Sequence, residues 1–63
     1  MKPLNSRETY RQSGERAGIA SRNRDMGFVR HESQWFESAL LLEDQHARTE
    51  LREIWSAAYK AAR

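Results

Sequence analysis

The side chains that could carry out covalent chemistry are few and scattered. Nucleophilic catalysis of the common kinds needs a Cys, Ser or Thr held beside a base, which a third group orients in turn. The chain of 63 residues has no cysteine. Its serines are spread along segments of helical character, without the sharp exposed turn that presents a nucleophile. The sequence therefore predicts a protein that is not an enzyme.

Two histidines stand near carboxylates at spacings that could contribute to a metal site. His31 is followed directly by Glu32, and His46 precedes Glu50 by one helical turn. A structural zinc site needs four ligands, and neither pair has two more nearby. Glu50 and Glu53 lie beside arginines, on a chain too short to enclose a cleft without water. We expect no metal site, no cofactor and no catalytic pair of carboxylates.

Basic side chains are concentrated in the first half of the chain. Residues 1–31 contain seven Lys and Arg against three Asp and Glu, whereas residues 32–63 contain four against six. The candidates for phosphate contacts are Arg7, Arg11, Arg16, Arg22, Arg24 and Arg30. Acidic residues interrupt this run, and no helix-turn-helix, zinc-finger or RNA-binding signature is present. Binding of DNA or RNA is therefore an alternative and not the favoured function.

The length of the chain allows one small helical domain over residues 1–63. A chain of this size buries only roughly 60% of its unfolded surface, so added stability from self-association or a larger partner is expected. The longest apolar run, 39–42, is far shorter than the ~20 residues of a membrane span. The N-terminal residues lack the apolar core of a secretory signal. These features predict a cytoplasmic protein with no membrane partner.

The first helical segment is polar and carries a face of small residues. It is predicted to begin at Ser6 or Ser13, with Asn5 as a candidate cap, and to end near Asp25. Residues 1–12 are a candidate flexible arm. Helical spacing collects small side chains on one face, at Gly14, Ala17, Gly18 and Ser21. Another helix could approach this face closely, although two glycines equally favour a frayed segment.

Two amphipathic helices are predicted after this segment. Gly27 suits the left-handed position past a helix end, and a second helix is expected over 29–42. Polar residues 43–46 predict a turn, with Asp44 capping a third helix that reaches the C-terminus. These two helices are expected to form an antiparallel hairpin that brings the faces of Trp35 and Trp55 together. An unbroken helix over 29–63, buried only against another chain, is the alternative.

The predicted fold class is therefore all-α, a small helical hairpin preceded by a shorter helix. A handful of large apolar residues must offset the ordering of some fifty residues, so a dimer is expected. The candidate partner-binding residues come from the two apolar stripes: Phe28, Trp35, Phe36, Ala39, Leu51, Ile54, Trp55 and Tyr59. Aromatic side chains are enriched among binding hot spots. The favoured function is binding to another protein.

A short aromatic pattern resembles a known family. The pattern is Phe28-x-Arg30-x-x-x-x-Trp35-Phe36-x-x-Ala39, which follows Ala17-x-x-Ala20 and precedes a helix with Trp55. Over about residues 10 to 63 the chain resembles small enterobacterial and phage regulators, the ANR (AraC negative regulator) family and the related PerC-like proteins. The resemblance implies a modulator of transcription that binds an AraC-type transcription regulator through its helical faces. A structural helical subunit of a phage or plasmid assembly is a further alternative.

Overall fold

The computed structural model describes residues 5–63, which form three α-helices. Helix α1 spans Arg7–Arg22, α2 spans Met26–Leu40 and α3 spans Gln45–Ala62. No strand occurs in this part of the chain, and none of its helices is long and apolar enough to cross a membrane. The predicted all-α fold is confirmed. The alternative of one unbroken helix over 29–63 is wrong, because the chain turns at residues 41–44.

Side-chain caps set the start of each helix. Ser6, Asp25 and Asp44 each accept a hydrogen bond from the backbone N–H three residues later. Such a bond satisfies one of the N–H groups that the first turn of a helix leaves without a partner. The predicted cap at Asp44 is confirmed, whereas Ser6 and not Asn5 caps α1. Of the candidate arm, residues 7–12 are helical in the structure and residues 1–4 lie outside the described residues.

The turn between α1 and α2 differs from the predicted one. Arg24 adopts the left-handed conformation with φ 62°, and Gly27 lies inside α2. The N–H of Arg24 donates to the Ser21 carbonyl at 3.0 Å and that of Asp25 to the Ala20 carbonyl at 2.8 Å. These two bonds form a Schellman motif at the end of α1. Because Asp25 then caps α2, the second helix begins directly after it and earlier than predicted.

Helix α1 is central, and it runs parallel to α3. Arg7 pairs with Glu50 near the start of both helices, and Gly18 contacts Tyr59 near their ends. Gly14 and Gly18 lie one turn apart, and neither holds the backbone of α3 away. A Cβ atom on Gly18 would lie 2.5 Å from the Tyr59 carbonyl oxygen. The predicted face of small residues therefore packs closely against another helix and is not frayed.

Helices α2 and α3 pack against α1 more than against each other. The chain reverses between them as predicted, but large side chains keep their backbones apart. Among these, the Phe36 ring stacks on Trp55 at 4.6 Å between centroids. The buried core consists of Tyr10, Phe36, Ala39, Leu40, Ala47 and Leu51. The expectation of a hairpin whose two stripes mainly cover each other is corrected: α1 packs against both helices, and its glycines let it approach α3 closely.

The expected dimer would cover apolar stripes that two helices leave open. Within a single chain, α1 already covers much of this apolar surface. The core residues Tyr10, Leu40 and Leu51 are each at most 2% exposed. One chain therefore encloses this core without a second copy. The dimer stays a prediction, and the apolar surface that a second copy could cover lies outside this core, at side chains such as Leu41 and Leu42, which are 73% and 68% exposed.

Candidate protein-interaction surface

The eight residues predicted to bind a partner differ widely in exposure. Phe36, Ala39 and Leu51 are core residues with exposed fractions of 3%, 6% and 1%. Phe28, at the start of α2, is exposed at 39%. The others are half-buried: Trp35, Ile54, Trp55 and Tyr59. The three core side chains thus stabilise the fold, and a partner can reach only Phe28 and the edges of the half-buried four.

A row of aromatic rings crosses all three helices. Tyr10 lies between Trp35, at 5.2 Å, and Phe36, at 6.1 Å between ring centroids. Phe36 stacks on Trp55 at 4.6 Å, and Trp55 stacks on Tyr59 at 5.4 Å. Aromatic pairs at such distances stabilise the fold beyond the area they bury. The two tryptophans are therefore linked through other rings, and Tyr10 is a core residue that sequence reasoning did not place there.

Two buried carboxylates accept hydrogen bonds from α1. The Ser13 hydroxyl donates to Glu32 Oε2 at 2.9 Å and accepts from the Trp55 indole N–H at 3.1 Å. The Tyr10 hydroxyl donates to Glu43 Oε2 at 3.2 Å, and burial raises the pKa of Tyr10. These polar residues were missed because polar side chains in a polar segment do not indicate burial. The position of Ser13 three residues after Tyr10, on the same helical face, is the signal that could have found it.

The histidines do not form a metal centre within residues 5–63. No group of three or more His, Cys, Asp or Glu side chains there is close enough to share a metal ion. His31 and His46 are both exposed, and the His31 ring lies 6.2 Å from that of Phe28. Glu32, beside His31 in the sequence, points into the core instead and accepts the bond from Ser13.

The six arginines of the nucleic-acid alternative are all exposed, but they differ in pairing. Arg7 lies 2.6 Å from Glu50. Arg11 pairs with Glu8 at 2.6 Å and with Glu15 at 2.7 Å, and its hydrogen bond lowers the pKa of Glu8. The remaining four make no ion pair with any residue of 5–63: Arg16, Arg22, Arg24 and Arg30. Unneutralised positive charge is thus concentrated around the turn between α1 and α2.

An apolar groove of about 680 Å³ runs between α1 and α3. Its apolar lining consists of Ile19, Ile54, Ala57, Ala58, Ala61 and Ala62, and its charged lining of Arg11, Glu15 and Arg22. No residue of α2 contributes to it. Ala57 and Ala61 are exposed, and Ile19 is 37% exposed. Of the eight residues predicted to bind a partner, Ile54 alone lines this groove. Sequence reasoning did not identify its other apolar residues, although the alanine-rich end of α3 is a visible sign of them.

Ile19 also borders a second hollow beside the α1–α2 turn. This hollow, of about 320 Å³, is lined by Arg16, Ile19, Ala20, Asn23, Asp25 and Phe28. Since Ile19 belongs to both concavities, the apolar surface continues from the groove across α1 to Phe28. One face of the molecule therefore combines exposed apolar side chains with arginines that are unpaired in the described part of the chain.

No protein-family model matches this chain, and no curated protein or solved structure shows a significant match to it.

Proposed function

We propose that this protein is a small regulatory module that acts by binding another protein, and that the groove between α1 and α3 is the contact surface. The observation that carries the proposal is the apolar lining of this groove, which forms one continuous open concave surface. The most exposed large apolar side chains elsewhere, Met26, Leu41 and Leu42, lie at the two ends of α2 instead. Concave apolar surfaces with a few charged groups are typical binding sites. No catalytic group is required for a protein that regulates by binding.

The tryptophans themselves are poor candidates for the main contact. Trp55 donates to Ser13 and stacks on both Phe36 and Tyr59, so its removal would disturb the core before it removed a binding contact. The exposed alanines of the groove are better probes. Ala61 is exposed and lies outside the core, so a larger side chain there would fill the groove and leave the fold intact.

The partner class follows from the aromatic pattern in the sequence. The resemblance to ANR and PerC-like regulators supports a transcription regulator, of AraC type, as the bound protein in the cytoplasm. A chain of three short helices is well suited to such a role, because recognition by helical faces needs only a few anchoring side chains. Regulation would then follow from occupying a surface that the partner needs for its own activity.

Affinity capture from the native host, with wild-type protein and an Ala61→Arg variant, tests the proposal. We expect one protein to be captured by the wild type and lost with the variant. Ser38→Arg, at an exposed site on α2 outside the groove, is the matched control and should still capture it. The purified partner should bind directly and change its activity as a regulator. Equal capture by wild type and Ala61→Arg, or no direct binding, would contradict the proposal.

A further inference from the structure

We infer that the groove between α1 and α3 recognises an amphipathic helix of the partner protein, with an apolar stripe flanked by acidic side chains. This partner chemistry rests on the proposed function and adds the shape and the charge of the bound segment. Helix-in-groove recognition places apolar anchors at i, i+3, i+4 and i+7 of the bound helix.

The shape of the groove fits a helix. Ala57 and Ala61 are one helical turn apart, and Ala58 and Ala62 repeat the same spacing beside them. Side chains this small let a second helix backbone approach closely, as Gly14 and Gly18 do where α1 meets α3. Ile19 from α1 and Ile54 from α3 line the same groove. Large apolar side chains of the bound helix would contact these two residues.

The charge around the groove fits an acidic partner. Arg22 lines the groove and Arg16 borders the adjoining hollow, and neither makes an ion pair with a described residue. The nearby carboxylates are already engaged: Glu15 pairs with Arg11, and Asp25 accepts the N–H bond that caps α2. Because Arg11 is shared by Glu8 and Glu15, positive charge is left over at the Arg22 end of the groove, where the last turn of α3 adds Lys60. Complementary negative charge on a partner would steer its approach and fix its orientation.

A second copy of this chain fits the groove less well. The apolar side chains that it exposes outside the groove, Met26, Leu41 and Leu42, lie at the two ends of α2 and form no continuous helical stripe. A second copy would therefore offer mainly the same groove with the same arginines, and like charges would meet. Its exposed carboxylates on α2 and α3 are largely paired, Glu37 with Arg52 and Glu50 with Arg7. Only Glu53 makes no ion pair within residues 5–63. A nucleic acid could use the arginines, but it would leave the apolar lining without a partner.

Binding of designed helical peptides measures this preference. One labelled peptide of about 18 residues, long enough for five helical turns, carries leucines at the spacing given above with glutamates on both flanks. A second has lysines in place of the glutamates, and a short DNA duplex is the third probe. Fluorescence anisotropy at low salt should show the glutamate peptide bound at least about tenfold more tightly than the lysine peptide, which corresponds to about 1.4 kcal/mol.

Matched variants locate the binding. Ala61→Arg adds positive charge but fills the groove, so we expect it to weaken binding of the glutamate peptide more than about tenfold. Arg22→Gln should weaken it about two- to fivefold, with a smaller effect at high salt. Ser38→Arg and Arg52→Gln lie outside the groove and should leave the affinity unchanged. Circular dichroism of each variant should show that all four remain folded.

Three results would overturn the inference. Equal affinity for the two peptides would show that the groove does not prefer an acidic partner. Tighter binding of the duplex would show that the arginines bind a nucleic acid. A dimer in light scattering that Ala61→Arg dissociates would make a second copy the occupant. If the captured partner binds the groove through a segment without acidic residues, the inference fails while the proposed function stands. If no protein binds this chain at all, both fail.

Discussion

The backbone of Gly14 lies so close to the backbone carbonyl of Trp55 that a Cβ atom on Gly14 would overlap it. The same approach recurs one turn later, where Gly18 meets the carbonyl of Tyr59. Two parallel helices are thereby in backbone contact at two successive turns. Because Ile54 and the alanines of the groove belong to the same stretch of α3, this contact also sets the position of the candidate binding surface.

Replacing Gly14 by alanine should destabilise the protein, although alanine is the better helix former by about 1 kcal/mol. The added methyl group would overlap backbone atoms of Trp55, which no rotamer change can relieve. Overpacking typically costs about 1–3 kcal/mol, and overlap with backbone atoms places this site in the upper part of that range, so a net loss of about 1–2 kcal/mol remains after the gain in helix propensity. The midpoint of urea denaturation measures it.

Gly27→Ala is the matched control, since the nearest atom to its added Cβ is Asp25 Oδ1 at 3.8 Å and its backbone is helical. We expect this variant to be as stable as the wild type or more stable, by up to about 1 kcal/mol. Equal effects of the two substitutions would show that α1 and α3 do not meet at Gly14.

Replacing Ser13 by alanine should cost about 1–3 kcal/mol, because it leaves both the Trp55 indole N–H and the buried Glu32 carboxylate without this partner. A double-mutant cycle with Trp55→Phe isolates the bond between the two side chains. Once the indole is gone, the Ser13→Ala change should cost measurably less, and thermal unfolding of the four proteins gives the coupling. Additive effects would mean that the serine does not hold the indole.

Replacing Arg24 by glycine should stabilise the protein. Arg24 has φ 62° at the end of α1, a conformation that costs residues with a Cβ atom roughly 1 kcal/mol and glycine almost nothing. We expect a gain of about 0.5–1 kcal/mol in urea denaturation. Arg30→Gly removes the same side chain from a helical position inside α2 and should lower the free energy of unfolding by about 1 kcal/mol instead. A loss in both variants would contradict the Schellman motif.

Stability should fall at alkaline pH through Tyr10. Burial raises the pKa of this phenol in the folded chain, so the unfolded chain ionises first, at about pH 10. The contribution of neutral Tyr10 to the free energy of unfolding is fully present below about pH 10, and it is lost as the pH rises through the pKa of Tyr10 in the folded chain. Urea denaturation of wild type and Tyr10→Phe, compared from neutral pH upward, isolates this group. The variant should be less stable at neutral pH, since it loses the bond to Glu43, but its stability should decline less steeply above about pH 10. Parallel curves would show that Tyr10 is not buried.

The binding surface shows the limits of sequence reasoning most clearly. The sequence predicts that the aromatic residues bind a partner, yet Phe36 is almost wholly buried and Trp55 is half-buried among core contacts. The residues that line the groove, such as Ala57 and Ala61, repeat at helical spacing, but their side chains are too small to indicate a binding anchor. Exposure depends on which face a neighbouring helix covers, and that neighbour is distant in sequence.

The sequence by itself determined the three helices, the cap at Asp44 and the apolar stripes of α2 and α3. These features depend on local side-chain chemistry and on the 3.6-residue period of the helix. Tertiary structure alone decided that α1 lies centrally and parallel to α3, and that Tyr10 and Ser13 belong to the interior. An apolar stripe specifies that a face must be buried, but not against what. Here the small residues Gly14 and Gly18 decide it, because they allow the backbone of α1 to contact that of α3.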